Sequence, residues 1–141
     1  MFHMAHKPNK KLLNKVIGNE GELLAANYLQ KQGFEILKMN YRKPWGEIDV
    51  IAKKHEIIHF VEVKTVSYET KHDLQQSVLR GTYRPEDNVH KYKLKKIVRA
   101  IETWILEKKW EGEWVIDVAA VRTVPRETYA SIKIITNIIV E

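Results

Sequence analysis

Two acidic side chains and a lysine interrupt segments that otherwise have the apolar composition of buried strands. Asp49 lies in residues 46–51 (GEIDVI), and Glu62 and Lys64 lie in residues 57–64 (IIHFVEVK). A charged group in a half-buried strand costs free energy unless it is paired, hydrogen-bonded or bound to a metal ion. These three residues therefore restrict how the two segments can pair and which chemistry the face they share can support.

The strand period predicts which of these side chains meet. Residues i and i+2 of a strand point to the same face, so Glu62 and Lys64 share a face with Ile58 and Phe60. If the two segments pair as a hairpin, Asp49 can face Glu62 and Lys64. Two carboxylates, with a backbone carbonyl between them at Val63, form an oxygen-rich site of the kind that Mg²⁺ prefers.

The lysine and a helical acid extend this candidate site. Lys64 would orient or deprotonate a water activated by the cation. Glu22 is a third candidate ligand, because it lies one helical turn from Ala25 and Ala26, at the margin of a buried face. Glu20 competes for that place. A salt bridge between Lys64 and either strand acid is the alternative, although such a network generally stabilises less than apolar side chains would.

Length and composition restrict the protein class. The 141 residues suit one domain, and 44% hydrophobic with 30% charged residues is ordinary globular composition. The absence of cysteine excludes disulfides and thiolate zinc sites, and the six histidines show no convincing ligand spacing. With neither a signal peptide nor a transmembrane segment in the sequence pattern, we expect a cytoplasmic protein without a membrane partner.

Positive charge is concentrated in two parts of the chain. The net charge is +6. Residues 1–15 carry four lysines and no acid, and residues 71–110 carry ten basic against five acidic residues. A polyanion such as nucleic acid would meet the chain there, although basic surfaces are also common for solubility.

The hydrophobic pattern predicts an α/β fold in the order helix, three strands, helix, two strands. Residues 1–17 are expected to be a basic flexible tail, and residues 18–141 a single domain. The helices are expected at 18–32 and from about 88 to 109, and the strands at 34–41, 47–53, 56–65, 114–121 and 130–140, with a long loop at 66–88 that contains a helical turn near Leu74. The intervening helix predicts that the third and fourth strands pair in parallel, within a mixed sheet of about five strands flanked by helices.

The sequence contains the motifs Gly18-x-x-Gly21-Glu22-x-x-Ala25-x-x-Tyr28-Leu29-x-x-x-Gly33-Phe34, Asn40-Tyr41-Arg42, Gly46-Glu47-Ile48-Asp49-Val50-Ile51 and Phe60-Val61-Glu62-Val63-Lys64-Thr65. In these motifs the chain resembles the uncharacterised YraN family of bacterial proteins. That family is similar to the restriction-endonuclease-like PD-(D/E)xK nucleases, which include archaeal Holliday junction resolvases. The resemblance extends over nearly all of the chain from Gly18 onward, including Lys93 and residues 116–121 (IDVAAV).

The resemblance implies a restriction-endonuclease-like fold and a nuclease site. In that site Asp49 and Glu62 bind Mg²⁺ or Mn²⁺, Lys64 assists the attacking water, and Glu22 completes the site. Where the family often has arginine soon after the lysine, this chain has Thr65-Val66. The composition of the following loop suggests residues that could contact phosphate in place of that arginine, namely Arg80, Arg84 or Lys71.

The helix after the loop offers further contacts to a phosphate. Its basic residues are by default a solvated face, but Lys93 lies beside the apolar stripe, and Lys96 belongs to the same basic series. We therefore expect a metal-dependent nuclease that binds structured or branched DNA. The alternatives are a catalytically silent nucleic-acid-binding module of a DNA repair or processing complex and a protein scaffold. Dimerisation is left open, since resolvase-like proteins act on twofold-symmetric junctions.

Overall fold

A computed structural model describes residues 10–81 and 91–138, with side chains from 20 to 81 and from 94 to 138. Three helices and five strands follow one another in this part of the chain. They are α1 (Lys10–Lys31), β1 (Glu35–Lys43), β2 (Gly46–Lys54), β3 (Ile57–Ser67), α2 (Lys71–Arg80), α3 (Lys91–Lys108), β4 (Glu113–Val124) and β5 (Tyr129–Ile135), with a short 3₁₀ turn at Pro125–Glu127.

The five strands form one mixed sheet in the order β1-β2-β3-β4-β5. β3 and β4 pair in parallel across the α2–α3 connection, as the intervening helix predicted, and the other neighbours are antiparallel. The β2–β3 hairpin turns at His55 and Glu56, whose φ values of 52° and 62° match a two-residue turn that suits twisted strands. The predicted α/β architecture, consistent with a restriction-endonuclease-like fold, is confirmed.

Helices cover both faces of the sheet. On one face α3 packs through Ile97 and Ile101 against a cluster that contains Phe60. On the other face α1 packs through Ala25 and Leu29 against a second cluster, which also contains Val50, Ala52, Val61, Val63, Ala119 and Val121. The sheet is therefore the middle layer, and each helix fixes the side chains of one face.

The segment expected to be a long loop contains a helix of ten residues, α2. The Thr70 hydroxyl accepts a hydrogen bond from the Asp73 amide at its start, and Gly81 ends it with a φ of 60°. Leu74 is the buried residue of this helix, so its apolar face is too narrow for the periodicity to reveal it.

Several element ends also differ from the sequence expectation. Helix α1 begins at Lys10, before the predicted start at Gly18, and the part of the expected tail at residues 1–9 lies outside the described residues. Strand β4 runs to Val124, beyond the predicted end at Val121, because its pairing with β3 continues to Thr123. Strand β5 ends at Ile135, before the predicted end at residue 140.

Strands β1 and β2 exchange faces partway along their length. Met39 pairs with Val50, and both pack on the α1 side, whereas Tyr41 pairs with Ile48, and both pack on the α3 side. A regular strand keeps residues i and i+2 on one face. The exchange occurs at Asn40, whose φ is 52°, a conformation that asparagine tolerates better than most residues.

Candidate active site

Asp49 lies in β2 where the two strands exchange faces, and it is 9% exposed. Its Oδ2 atom accepts a hydrogen bond from the Val63 amide on β3 at 2.8 Å. The last paired residues of β2 and β3 are Val50 and Val61, so Asp49 lies one residue beyond the end of their pairing. The Asp49 side chain therefore accepts from an amide of β3 that has no backbone partner in β2. The carboxylate is thereby held beside the peptide that joins Glu62 to Val63.

Glu22 reaches Asp49 from α1. Its carboxyl group shares a hydrogen bond with the Asp49 side chain and a second with the Asn40 side chain. Burial raises the pKa of Glu22, and the neighbouring charge of Asp49 raises it further, whereas the Asn40 hydrogen bond and the Arg42 guanidinium act in the opposite direction. Two carboxyl groups in contact favour one shared proton or a cation between them.

Glu62 and Lys64 form the second charged pair of the site. Glu62 is 1% exposed, and the Lys64 Nζ lies 3.6 Å from its Oε1. Both residues continue the face of Phe60, as the strand period predicted. The ammonium offsets part of the cost of burying the carboxylate.

The structure arranges the four predicted site residues as two separate pairs, Glu22 with Asp49 and Glu62 with Lys64. Glu22 comes from α1, whereas Glu62 and Lys64 follow the face of Phe60, which α3 covers. The hydrogen bond from the Val63 amide, next to Glu62, to Asp49 links the two pairs. Within residues 20–81 and 94–138, no group of three or more histidine, cysteine, aspartate or glutamate side chains is arranged to hold a metal ion. The predicted metal ligands Glu22, Asp49 and Glu62 therefore do not form one three-carboxylate group in this structure.

The predicted nucleic-acid contacts are only partly described. Arg80 ends α2 and is exposed, and Lys96 is exposed on α3 beside the β1–β2 turn. The side chains of Lys93 and Arg84 lie outside the described residues. Lys71, the other loop candidate, is exposed in the first turn of α2 and lies over the Tyr129 ring.

Sequence reasoning missed Asn40 as a member of the site. Its side chain contacts Glu22, and its positive φ marks the point where β1 changes face. A signal existed, because an asparagine at the end of an apolar segment often adopts this conformation. The contact between Asn40 and Glu22 of α1 joins residues far apart in sequence. Such a contact depends on tertiary packing, which the residue pattern of one strand does not predict.

Another buried acid, Asp117 on β4, belongs to a separate network. Its Oδ2 lies 2.6 Å from His59 Nδ1, and its Oδ1 accepts a hydrogen bond from the Asn137 amide at 3.0 Å. Asp117 thereby ties the residues after β5 to β4. Its polar partners are satisfied within the fold, which indicates a structural role.

The helices give no sign of a membrane-spanning segment. In the stretches 10–81 and 91–138, none is both long enough and apolar enough to cross a bilayer.

Comparisons with known proteins give the chain a family. The model of the uncharacterised protein family UPF0102 matches residues 21–121. A UPF0102 protein of Campylobacter fetus is 39% identical over 108 residues, which are 75% of this chain and 83% of the relative. A UPF0102 protein of Campylobacter jejuni is 39% identical over 102 residues (72% and 80%), and one of Campylobacter lari is 33% identical over 106 residues (75% and 83%). The matched region contains Glu22, Asp49, Glu62 and Lys64.

Proposed function

We propose that this chain, which belongs to the uncharacterised family UPF0102, is a metal-dependent nuclease that hydrolyses phosphodiester bonds in structured or branched DNA. The observation that carries the proposal is the contact between Glu22 and Asp49 beside the buried Glu62–Lys64 pair. Maintaining two carboxyl groups against one another has a cost in stability, and a bound cation would offset it.

The donor set suits a hard divalent cation. Asp49, Glu62 and the Val63 carbonyl offer oxygen atoms, and Glu22 supplies a further carboxylate. Mg²⁺ usually keeps several waters and takes one or two protein carboxylates together with substrate phosphates, so an open site with one acidic pair and one glutamate–lysine pair fits it better than a closed cage would. When bound, Mg²⁺ or Mn²⁺ would supply charge compensation on phosphate oxygens and activation of a water.

The protein's own groups would complete the chemistry. Lys64 would donate a hydrogen bond to the attacking water or to a phosphate oxygen from its position beside Glu62. Asp49 would keep its orientation because the Val63 amide holds one of its oxygens. Glu22 would take up or release a proton as the charge beside Asp49 changes, because its raised pKa brings the protonated form closer to neutral pH.

Nucleic acid is the proposed partner. Exposed basic residues occur at the end of α2 and along α3, where Arg80 and Lys96 are described, and Lys93 and Arg84 belong to the same proposal from sequence alone. Such residues would contact the phosphate backbone without reading the bases. The substrate class of structured or branched DNA follows from the resemblance to resolvases.

A second function has an observation in its favour. Because the described side chains include no group of three potential metal ligands arranged around one point, the protein could bind nucleic acid without cleaving it. It would then serve as a binding module in a repair or processing complex. Calorimetric titration with Mg²⁺ separates the two, because the nuclease must bind the cation and the binding module need not.

The test of the nuclease is cleavage of a panel of duplex, single-stranded and four-way-junction DNA and of RNA, with Mg²⁺, Mn²⁺ or EDTA. We expect cation-dependent cleavage by the wild type and its loss in Asp49→Ala. Glu111→Ala is the matched control. Glu111 is exposed just before β4. The first residues of β4 pair with the beginning of β3, away from Glu62 and Lys64. Cleavage that persists in Asp49→Ala would exclude Asp49 from the reaction, and an inactive wild type would favour the binding module.

A further inference from the structure

A buried arginine lies on the same face of the sheet as the Glu62–Lys64 pair. Arg122 belongs to β4 and is 9% exposed. Phe60 and Ile116 are register partners within the cluster on the α3 side, and the ladder continues without a break to Ser67 and Thr123. Alternate residues from Ile116 onward, namely Val118, Ala120 and Arg122, therefore share the face of Glu62 and Lys64.

The register places Arg122 close to Lys64. Lys64 pairs with Ala120, and the next pair on this face is Val66 with Arg122. Lys64 and Arg122 are thus diagonal neighbours, and strand spacing and rise put their Cα atoms roughly 8 Å apart, a separation that long side chains can bridge. Ala120 ends at its Cβ atom and places no longer side chain between them.

The guanidinium of Arg122 has no anionic partner in the part of the chain that the structure describes. Its Nε atom is buried without a hydrogen-bond partner, and no carboxylate within residues 20–81 and 94–138 forms an ion pair with it. Its register neighbours on either side, Val66 and Ser131, carry no charge. A buried cation without an anion among the described residues is costly, and an external anion would offset that cost.

We propose that Arg122 binds a non-bridging phosphate oxygen of the nucleic acid at this site, beside Lys64. The inference rests on the proposed function and makes it more specific, because it identifies a phosphate subsite on β4 formed by a residue far from the acidic hairpin in sequence. The planar guanidinium can donate two parallel hydrogen bonds to one phosphate, which a lysine cannot.

The experiment measures binding of a fluorescent DNA junction in EDTA, where no cleavage occurs. We expect Arg122→Met to weaken binding on the order of tenfold, the effect of losing one charge-assisted contact, and to lower the salt dependence by about one phosphate contact. Lys31→Met removes the same charge at the end of α1, about 13 Å along the helix from Glu22, and should change affinity little.

Two further measurements separate binding from folding. The melting temperature of Arg122→Met should equal or exceed that of the wild type, because an uncompensated buried charge is removed. The exchange Arg122→Val with Val66→Arg returns a guanidinium to the same face on the neighbouring strand and should restore most of the affinity. Inorganic phosphate should compete with DNA for the wild type and less effectively for Arg122→Met.

The outcomes also distinguish this inference from the nuclease proposal. Loss of binding in Arg122→Met with an inactive wild type would support the phosphate subsite and reject the nuclease. Active wild-type enzyme with unchanged affinity in Arg122→Met would reject the subsite and keep the nuclease. A lower melting temperature in Arg122→Met without rescue by the exchange would show that Arg122 is structural and would overturn the inference.

Discussion

Gly21 of α1 packs so closely against Thr65 of β3 that a Cβ atom on the glycine would overlap the threonine Oγ1. This contact sets the distance between helix and sheet one residue before Glu22. Glu22 reaches Asp49 because the helix lies this close. The glycine is therefore a positioning residue of the candidate site as well as a packing residue.

Gly21→Ala should lower the free energy of unfolding by roughly 1–3 kcal/mol, the usual cost of inserting a methyl group into a packed contact. Denaturant titration measures it. Thr65→Ala in the same chain should recover part of the loss, because the overlapping oxygen is removed. Asn27→Ala, at an exposed position of α1, is the control and should be neutral or slightly stabilising. Equal effects of Gly21→Ala and Asn27→Ala would contradict the close contact.

Glu22→Gln should stabilise the cation-free protein at neutral pH. The pKa of Glu22 is raised in the folded state, so the fold holds this proton more tightly than the unfolded chain does. Its stabilising contribution is present below the ordinary pKa and is lost as pH rises through the raised value. The ionised form at pH 7 therefore opposes folding.

Melting temperatures between pH 4 and 8 check this prediction. Near neutral pH, Glu22→Gln should melt higher than the wild type by a few degrees at most, and the two should converge at low pH. Adding Mg²⁺ should stabilise the wild type more than the variant, since a ligand that binds the native state raises stability. Glu20→Gln, at an exposed position two residues earlier, is the control. A lower melting temperature for Glu22→Gln would be the contrary result.

The sequence predicted the sheet and the central hairpin because their signals are local. The period of two put Glu62 and Lys64 on one face, and the helix between the third and fourth strands implied their parallel pairing, both as found. The candidate acids were identified because a charge in an apolar strand is conspicuous by itself.

What the sequence did not reveal depends on packing between distant segments. Asn40 joins the site through contact with α1, and Arg122 reaches the face of Lys64 only through the β3–β4 register. Helix α2 was predicted only as a helical turn near Leu74, for a different reason. It buries Leu74 alone, so its capping residues Thr70 and Gly81 were its clearest signal.

Lys64→Met should destabilise the protein, because it removes an ammonium 3.6 Å from a carboxylate that is 1% exposed. Breaking a buried pair in this way costs about 3–5 kcal/mol in well-shielded cases, and Lys64 is partly exposed, so we expect a smaller loss. Glu62→Gln with Lys64→Met should be more stable than Lys64→Met alone. A double-mutant cycle by denaturant titration measures the coupling, and additive changes would contradict it.

Arg80→Ala should weaken DNA binding by the amount expected for the loss of one phosphate contact. Arg80 is exposed at the end of α2, and a backbone contact of this kind should reduce the salt dependence by about one. Fluorescence anisotropy at several salt concentrations measures it. Arg126→Ala is a matched control, because Arg126 pairs with Glu69 at 3.4 Å and its charge is already partly offset. The same affinity and salt slope in Arg80→Ala and wild type would remove Arg80 from the interface.

Asp117→Ala should separate a structural acid from those of the candidate site. The substitution leaves the Asn137 amide and the His59 ring nitrogen without the carboxylate that both contact. Loss of such a buried acceptor should lower the free energy of unfolding by roughly 2–4 kcal/mol. Glu113→Gln, at the exposed beginning of β4, is the control.

Asp117 and Glu22 differ in what their carboxyl groups do for the fold. Removing the Glu22 charge should raise stability and reduce the effect of Mg²⁺, whereas removing Asp117 should lower stability and leave the Mg²⁺-induced rise in melting temperature unchanged. An acid retained for the fold stabilises it, and an acid retained for a ligand opposes folding until the ligand binds. If Asp117→Ala abolished the Mg²⁺ effect while the protein stayed folded, the cation would bind on β4, and the assignment of the site to the β2–β3 hairpin would be wrong.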